Sequence, residues 1–271
     1  MVVRIHQPTY RWGIAINMEN FVPYIYLDGH RSSCVGTDRE GYVEGAQFFF
    51  RLARIAKARG IKDIVVMIHT ERNQDDRVQS VGNAVLNQAL PIALEGIDFG
   101  FRFYGNFERY RGTTLGLLLK IGYFSRCIGS QHTKIHMLLN YSEKWATINL
   151  HALDKMPNIS TVIRFTKGYY SGGWLPEKMA KTTFVYCQTP SVSFHWSDEE
   201  ISKLLAIAED NWREVSKFIG NSEYSVEYDK SIIHDKRDKK LHIEMKRDCS
   251  IALPTKRVVV FSLTGPEIYE F

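Results

Sequence analysis

The sequence predicts an α/β fold, a mostly parallel central sheet flanked by helices, with a C-terminal extension. Three observations predict it. Short apolar, β-branched runs alternate at least five times with longer stretches of helical spacing. Several of these runs are apolar at successive positions, as strands buried on both faces are. A polar cluster follows most of them, at the strand ends where open parallel sheets bind ligands.

The first run, 22–27 (VPYIYL), reads as a strand and stops on Asp28-Gly29-His30-Arg31. Residues 41–59 (GYVEGAQFFFRLARIAKAR) have helical spacing, with Phe49, Leu52, Ala53 and Ala56 on one face and Arg51, Arg54 and Lys57 elsewhere. Gly60 stands where a helix ends. Residues 61–68 (IKDIVVMI) form the second strand, followed by the polar segment 69–77 (HTERNQDDR) and a helix over 76–95. A strand over 99–104 (FGFRFY) ends at Gly105-Asn106. After it come a helix over 107–124, a strand over 133–140 (TKIHMLLN), a helix over 142–154 and a strand over 160–165 (STVIRF). Residues 197–218 make an amphipathic helix opened by Ser197-Asp198-Glu199-Glu200, the spacing of a capping box. Beyond Gly220 the character changes: 234–248 is dense in charge, and 255–265 (TKRVVVFSLTG) looks like a strand. The expected division is a main domain over 1–220 and an extension over 221–271.

The bulk composition excludes several classes. With 271 residues, 44% of them hydrophobic and 24% charged, the chain can bury a large core and is not disordered as a whole. A formal charge of +5 is mild, and no zinc-finger spacing or aromatic RNA-binding signature accompanies it, so nucleic acid is not the expected partner. The four cysteines, Cys34, Cys127, Cys187 and Cys249, form no CxxC pair, which argues against a zinc ribbon and fits reduced thiols in the cytoplasm. The opening MVVRIHQPTYRWG lacks the apolar core of a signal peptide. No run approaches the ~20 apolar residues of a membrane span. The expectation is a soluble protein with at most peripheral membrane contact.

Asp28-Gly29-His30-Arg31 admits two readings. It is a polar turn, for which Asp-Gly is a common pair, or an anion-binding mouth. In the second reading the glycine admits a ligand to the backbone, Arg31 offers a fork for phosphate, and Asp28 holds Mg²⁺ or handles a proton. Arg39 lies just before the helix that opens at Gly41, whose free N–H groups attract anions. Arg31, Arg39 and that helix end could enclose one diphosphate. In the segment 69–77, Asn73 can hydrogen-bond a reacting group and Arg77 can reach a phosphate, while Asp75 and Asp76 suit the start of the next helix. His69 and His136 carry a catalytic reading beside a structural one. No GxSxG, P-loop or GxGxxG pattern points to a hydrolase, an NTPase or a dinucleotide enzyme.

Taken in order, these motifs resemble those of the cis-prenyltransferases, the undecaprenyl diphosphate synthase family. YIYLDGHRSS is similar to the family's strand followed by Asp-Gly-Asn-(Gly/Arg)-Arg, and GYVEG (41–45) to its Gly-His-x-x-Gly. GIKDIVVMIHTERNQDDR matches the Ser/Thr-Glu-Asn-x-x-Arg loop, with Asn73 in register. YGNFERY resembles the Gly-Asp and Arg-Phe motif, NYSEKWATI (140–148) the Asn-Tyr-Gly-Gly-Arg motif, and VIRFTKG the last one. The resemblance runs over roughly residues 20–220.

The resemblance implies a homodimeric prenyltransferase of isoprenoid and terpene biosynthesis that takes an allylic prenyl diphosphate and Mg²⁺, with the prenyl chain in a tunnel between sheet and helices. By position it makes Asp28 the catalytic aspartate and metal ligand. It puts Gly29, His30, Arg31 and Arg39 on the allylic diphosphate, Asn73 beside the reacting carbons, and Arg77 and Arg164 near diphosphate. The family's last motif continues Arg-Thr-x-Gly-Glu-x-Arg-x-Ser-Asn-Phe, whose arginines and serine bind isopentenyl diphosphate and whose glutamate helps hold Mg²⁺. In RFTKGYYSGGWLPEKM only Arg164 remains: a tyrosine of the Tyr169-Tyr170 pair replaces the glutamate, and the second arginine and the serine have no counterpart. The histidine of the family's helix is Tyr42 here. The expectation is a divergent enzyme that keeps its donor site and transfers or rearranges the prenyl group by something other than standard chain elongation. Tyr169, Tyr170 and Trp174 suit an aromatic wall for a carbocation, or packing alone. The alternatives are ordinary elongation with the acceptor held by Lys167 or Lys178, a terpene cyclase, and a non-catalytic partner subunit, against which the presence of Asp28 argues.

Overall fold

The computed structural model describes residues 21–27, 38–73, 75–94, 99–106, 109–110, 112, 116–117, 119, 121, 133–165, 173, 175–179, 181–187, 196–219, 257–262 and 265–271. Their elements are β1 (Pro23–Leu27), α1 (Asp38–Ala58), β2 (Asp63–Met67), α2 (Asp75–Leu94), β3 (Phe99–Tyr104), β4 (Thr133–Leu138), α3 (Glu143–Ile148), α4 (Leu150–Leu153), β5 (Thr161–Phe165), β6 (Thr183–Cys187), α5 (Asp198–Ile219), β7 (Arg257–Ser262) and β8 (Gly265–Glu270). The strands form one sheet in the order β3-β4-β2-β1-β5-β6-β7-β8. Six are parallel, from β3 through β6. The last two add antiparallel, β7 on β6 and β8 on β7, so the strands of the C-terminal segment extend the same sheet.

Alternation along each strand divides the core into two layers. Ile25, Ile64, Val66, Ile135, Met137, Ile163 and Phe165 point toward α1, α2 and α5, where Phe49, Leu52, Ala53, Ala89, Leu204 and Ala208 cover them. Tyr24, Tyr26, Val65, Met67, Leu138 and Val162 point the other way, toward α3, α4 and the segment that carries Leu175. Both faces are thus covered, as a parallel sheet requires. The helices start and stop where local chemistry directs. Gly60, at φ +83, takes the left-handed position after α1, donating its N–H to the Lys57 carbonyl at 2.8 Å, and the buried Ile61 follows. At the start of α5 the Glu200 N–H donates to Ser197 Oγ at 3.2 Å and the Ser197 N–H donates to Glu200 Oε2 at 2.6 Å, the reciprocal pair expected of a capping box.

Two features depart from the sequence reading. The helix expected over 142–154 is two, α3 and α4, broken at Asn149, whose φ of −116 and ψ of 42 leave the helical region. β6 and β8 were not anticipated. The helix expected over 107–124 falls largely outside the described residues, although 116, 117, 119 and 121 have helical backbone. No helix among the described residues is long and apolar enough to cross a membrane.

The connections after β1 run toward β2, and those after β5 run toward β6, so the strand order reverses beside β1. Crevices for ligands open at the carboxyl ends of strands at such a reversal.

Candidate active site

A cavity of about 170 Å³ opens at the carboxyl ends of β1 and β2, on the β2 side of this reversal. Its walls are helical faces: Tyr42, Gly45, Ala46 and Phe49 recur along one side of α1, and Arg77, Val81 and Val85 recur every fourth residue along α2. Its floor is the end of β1 and β2, Tyr26, Leu27, Met67 and Ile68, and its mouth carries His69, Thr70, Asn73 and Arg77. The apolar depth and the polar mouth follow from the two periodicities meeting at the strand ends. Arg77 is the one arginine or lysine among the described lining residues. Its Nε is buried and has no hydrogen-bond partner among the described residues. A buried donor in that state is costly unless a ligand accepts from it.

The mouth is held by hydrogen bonds between the loops that follow β2, β3 and β4. Beyond β2 the ladder continues through a bridge between Thr70 and Tyr141, with the Glu71 N–H donating to the Tyr141 carbonyl at 3.0 Å. Asn140, left-handed at φ 49, is buried between these loops. Its N–H donates to His69 Nδ1 at 3.0 Å and its Nδ2 donates to the Asn106 carbonyl at 2.9 Å. Gly105 lets the chain turn at the end of β3: at φ +132, a Cβ there would lie 1.7 Å from the Leu139 carbonyl oxygen.

His69 is buried and hydrogen-bonded at both ring nitrogens. Since Nδ1 accepts from a backbone N–H, the ring proton sits on Nε2, which donates to the Tyr110 hydroxyl. Burial, then the Arg109 and Arg77 charges, push its pKa down to about 3. The neighbouring Tyr110 phenol is pushed up, chiefly by burial. His136 is also occupied at both nitrogens, by the Tyr104 hydroxyl and Asp63 Oδ1, each at 2.9 Å. It sits on the opposite face of the sheet, outside the cavity lining, and burial lowers its pKa despite the Asp63 carboxylate. For both histidines the structural alternative is the one observed.

A second constellation lies on the other side of β1. Tyr24 and Tyr26 project from the same face, their ring centroids 4.6 Å apart, and both hydroxyls donate to the Gly173 carbonyl, at 2.8 and 2.6 Å. The Gly173 N–H donates to Glu143 Oε1 at 2.8 Å. Arg164, buried at the end of β5, lies with Cζ 5.5 Å from the centre of the Tyr26 ring. Tyr26 thus joins the cavity to the strand that begins the last motif.

Of the residues singled out in the sequence, Asn73 and Arg77 line the cavity together, and Arg164 lies behind its floor. Arg39 belongs to the backbone of α1. Asp28, Gly29, His30, Arg31, Tyr169, Tyr170 and Trp174 lie outside the described residues. Tyr26, Met67 and Thr70 were missed as lining residues. Their signal was position alone, at the carboxyl ends of β1 and β2.

No protein-family model and no curated protein sequence matches the chain. Solved structures do. Lavandulyl diphosphate synthase from Lavandula x intermedia, crystallised with dimethylallyl diphosphate, superposes with a TM-score of 0.58 at 15% identity, covering 69% of this chain and 94% of that one. A probable undecaprenyl diphosphate synthase from Campylobacter jejuni superposes with a TM-score of 0.52 at 12% identity, covering 71% and 96%. The order of strands, the helices over both faces and these superpositions agree: the chain has the cis-prenyltransferase fold.

Proposed function

We propose that this protein is a prenyltransferase that binds an allylic prenyl diphosphate in the cavity between α1 and α2, cleaves its allylic C–O bond and transfers or rearranges the prenyl group by a reaction other than standard chain elongation. The observation that carries the reading is the amphipathic form of the cavity. Ala46, Phe49, Val81 and Val85 line an apolar depth, and Arg77 stands at the mouth with a buried Nε donor that no described residue satisfies. A prenyl diphosphate has that same division, an apolar tail and an anionic head. The structural likeness to a synthase crystallised with dimethylallyl diphosphate supports it.

In this reading Arg77 and Asn73 meet the diphosphate and the reacting carbons, and Asp28, Gly29, His30, Arg31 and Arg39 complete the mouth. Positive charge fixed where the diphosphate departs stabilises the charge that develops there. The described lining contains no carboxylate, and the described residues hold no cluster of three or more metal-binding side chains. A Mg²⁺ ion would take its oxygens from Asp28 and from the diphosphate, and such a donor set fits this ion, which is usually held by one or two carboxylates together with substrate phosphates. When bound it supplies further positive charge to the leaving group.

The test is product analysis. The purified protein is incubated with dimethylallyl, geranyl and farnesyl diphosphates, each with and without labelled isopentenyl diphosphate and with and without Mg²⁺. Mg²⁺-dependent release of pyrophosphate with prenyl products lacking the label is expected. Products that only carry the label and grow by five carbons would replace the proposed reaction with elongation. No consumption of any allylic diphosphate would remove the prenyltransferase reading.

A further inference from the structure

Arg109 lies outside the cavity lining, yet its hydrogen bonds converge on Asn73 and on the two loops that hold the mouth. Its Nη1 donates to the Glu71 carbonyl at 2.8 Å and to Asn140 Oδ1 at 3.0 Å, and its Nη2 donates to the Asn73 carbonyl at 2.8 Å. Its own carbonyl accepts from Gln79 Nε2 of α2 at 2.8 Å. One side chain therefore ties the loop after β2 to the loop after β4, while its backbone ties the same point to the first turns of α2. Between those attachments stand Asn73 and Arg77. The turn over 71–73 is also held at its start, where the Glu71 N–H donates to the Tyr141 carbonyl at 3.0 Å, and within itself, where the Asn73 N–H donates to the Thr70 carbonyl at 3.1 Å; Arg109 adds the side-chain bond to the Asn73 carbonyl. The Asn140 acceptor is itself fixed, through its bonds to His69 and Asn106.

We propose that Arg109 is a positioning residue: its planar fork sets the backbone at Asn73, and with it the direction in which the Asn73 side chain and Arg77 face the bound diphosphate. The proposal rests on the function proposed above and deepens it. The fork is the working feature. Two nitrogens in a fixed plane reach three oxygens on two loops, which a lysine ammonium on a flexible stem cannot reproduce. Arg109 also adds positive charge beside the mouth, as its effect on His69 shows. A purely electrostatic role would survive replacement by lysine, and a positioning role would not.

The experiment compares steady-state kinetics of wild type, Arg109→Lys, Arg109→Met, Asn73→Ala and the double variant Asn73→Ala/Arg109→Lys on the allylic diphosphate that the wild type consumes fastest. Loss of orientation at a reacting centre costs about tenfold to a hundredfold in rate. Arg109→Lys is expected to lose kcat on that scale with KM within about threefold, Arg109→Met is expected to match it, and the double variant should be little worse than Asn73→Ala alone. If the Arg109 variants do not fold, Asn140→Gly serves instead. It keeps the left-handed backbone, removes one of the three acceptors, and should lower kcat several-fold at constant KM. An active wild type whose Arg109→Lys variant keeps both constants, or effects of Asn73→Ala and Arg109→Lys that simply multiply, would overturn the Arg109 assignment alone. A wild type that consumes no allylic diphosphate would overturn the proposed function itself.

Discussion

Acid should destabilise this protein through His69, and the size of the effect follows from the burial of the ring. In the folded chain the imidazole is neutral, accepting from Asn140 N–H and donating to Tyr110, with its pKa pushed down to about 3 from the ordinary 6.5 of histidine. The unfolded chain therefore takes up the proton first. Stability is intact above about pH 6.5 and is lost as the pH falls through the window from 6.5 toward 3. Each pH unit inside that window costs about 1.4 kcal/mol, so going from pH 6.5 to pH 5 removes about 2 kcal/mol through this one group. His136, lowered in the same direction by burial, adds to the trend. Urea denaturation at pH 7.0, 6.0 and 5.0 measures it, with His69→Gln as the control that cannot titrate. The variant will be less stable at pH 7, because its replacement must satisfy the Asn140 N–H differently, but its loss between pH 7 and pH 5 should be smaller than the wild type's by about 2 kcal/mol. Equal slopes for the two proteins would refute the reasoning. So would a wild-type NMR titration in which the His69 ring protonates near pH 6.

Two further perturbations bear on the cavity and its frame. Val81→Phe places a ring in the apolar depth while leaving Asn73 and Arg77 in place. It should weaken binding of a non-cleavable geranyl thiodiphosphate by about tenfold or more and leave inorganic pyrophosphate binding unchanged, as calorimetry can show. Gly105→Ala sets a Cβ 1.7 Å from the Leu139 carbonyl oxygen at a φ of +132, so it should cost about 2–3 kcal/mol or more in urea denaturation, whereas Gly116→Ala, in helical backbone where a Cβ meets nothing within 4 Å, should stabilise by about 0.5–1 kcal/mol.

Periodicity carried most of the fold because most of it is periodic. The first strand, α1, β2 and α2 fall within a few residues of the sequence reading, since each has an uninterrupted pattern and a glycine or polar cluster at its end. β6 escaped because Thr183–Cys187 is five residues long and lies between two polar stretches, too short for a pattern to form. β8 escaped because Gly265–Glu270 contains a proline and two glutamates, a composition that only an edge strand tolerates, and edge position is a property of the whole sheet. The same contrast holds at the cavity. Asn73 and Arg77 were legible, being polar residues just past a buried strand. Arg109 and Asn140 stand in stretches that the sequence reading had noted, but their roles depend on loops more than thirty residues apart in sequence meeting in space. The histidines drew attention by residue type, and only the occupancy of both ring nitrogens decides what they do.

The pairing of β7 with β6 also bears on how the protein is made. Cys187 meets Val258 across the whole of α5 and the long segment behind it. During synthesis, the sheet from β3 to β6 can assemble while β6 still presents an unsatisfied row of backbone donors and acceptors along Thr-Phe-Val-Tyr-Cys. Such a row is a template for another nascent chain. Non-local pairing of this kind forms late, because loop closure must be met before the contacts reward it. The antiparallel pair therefore covers the β6 edge late in folding, and until β7 pairs there that edge is open to non-native partners.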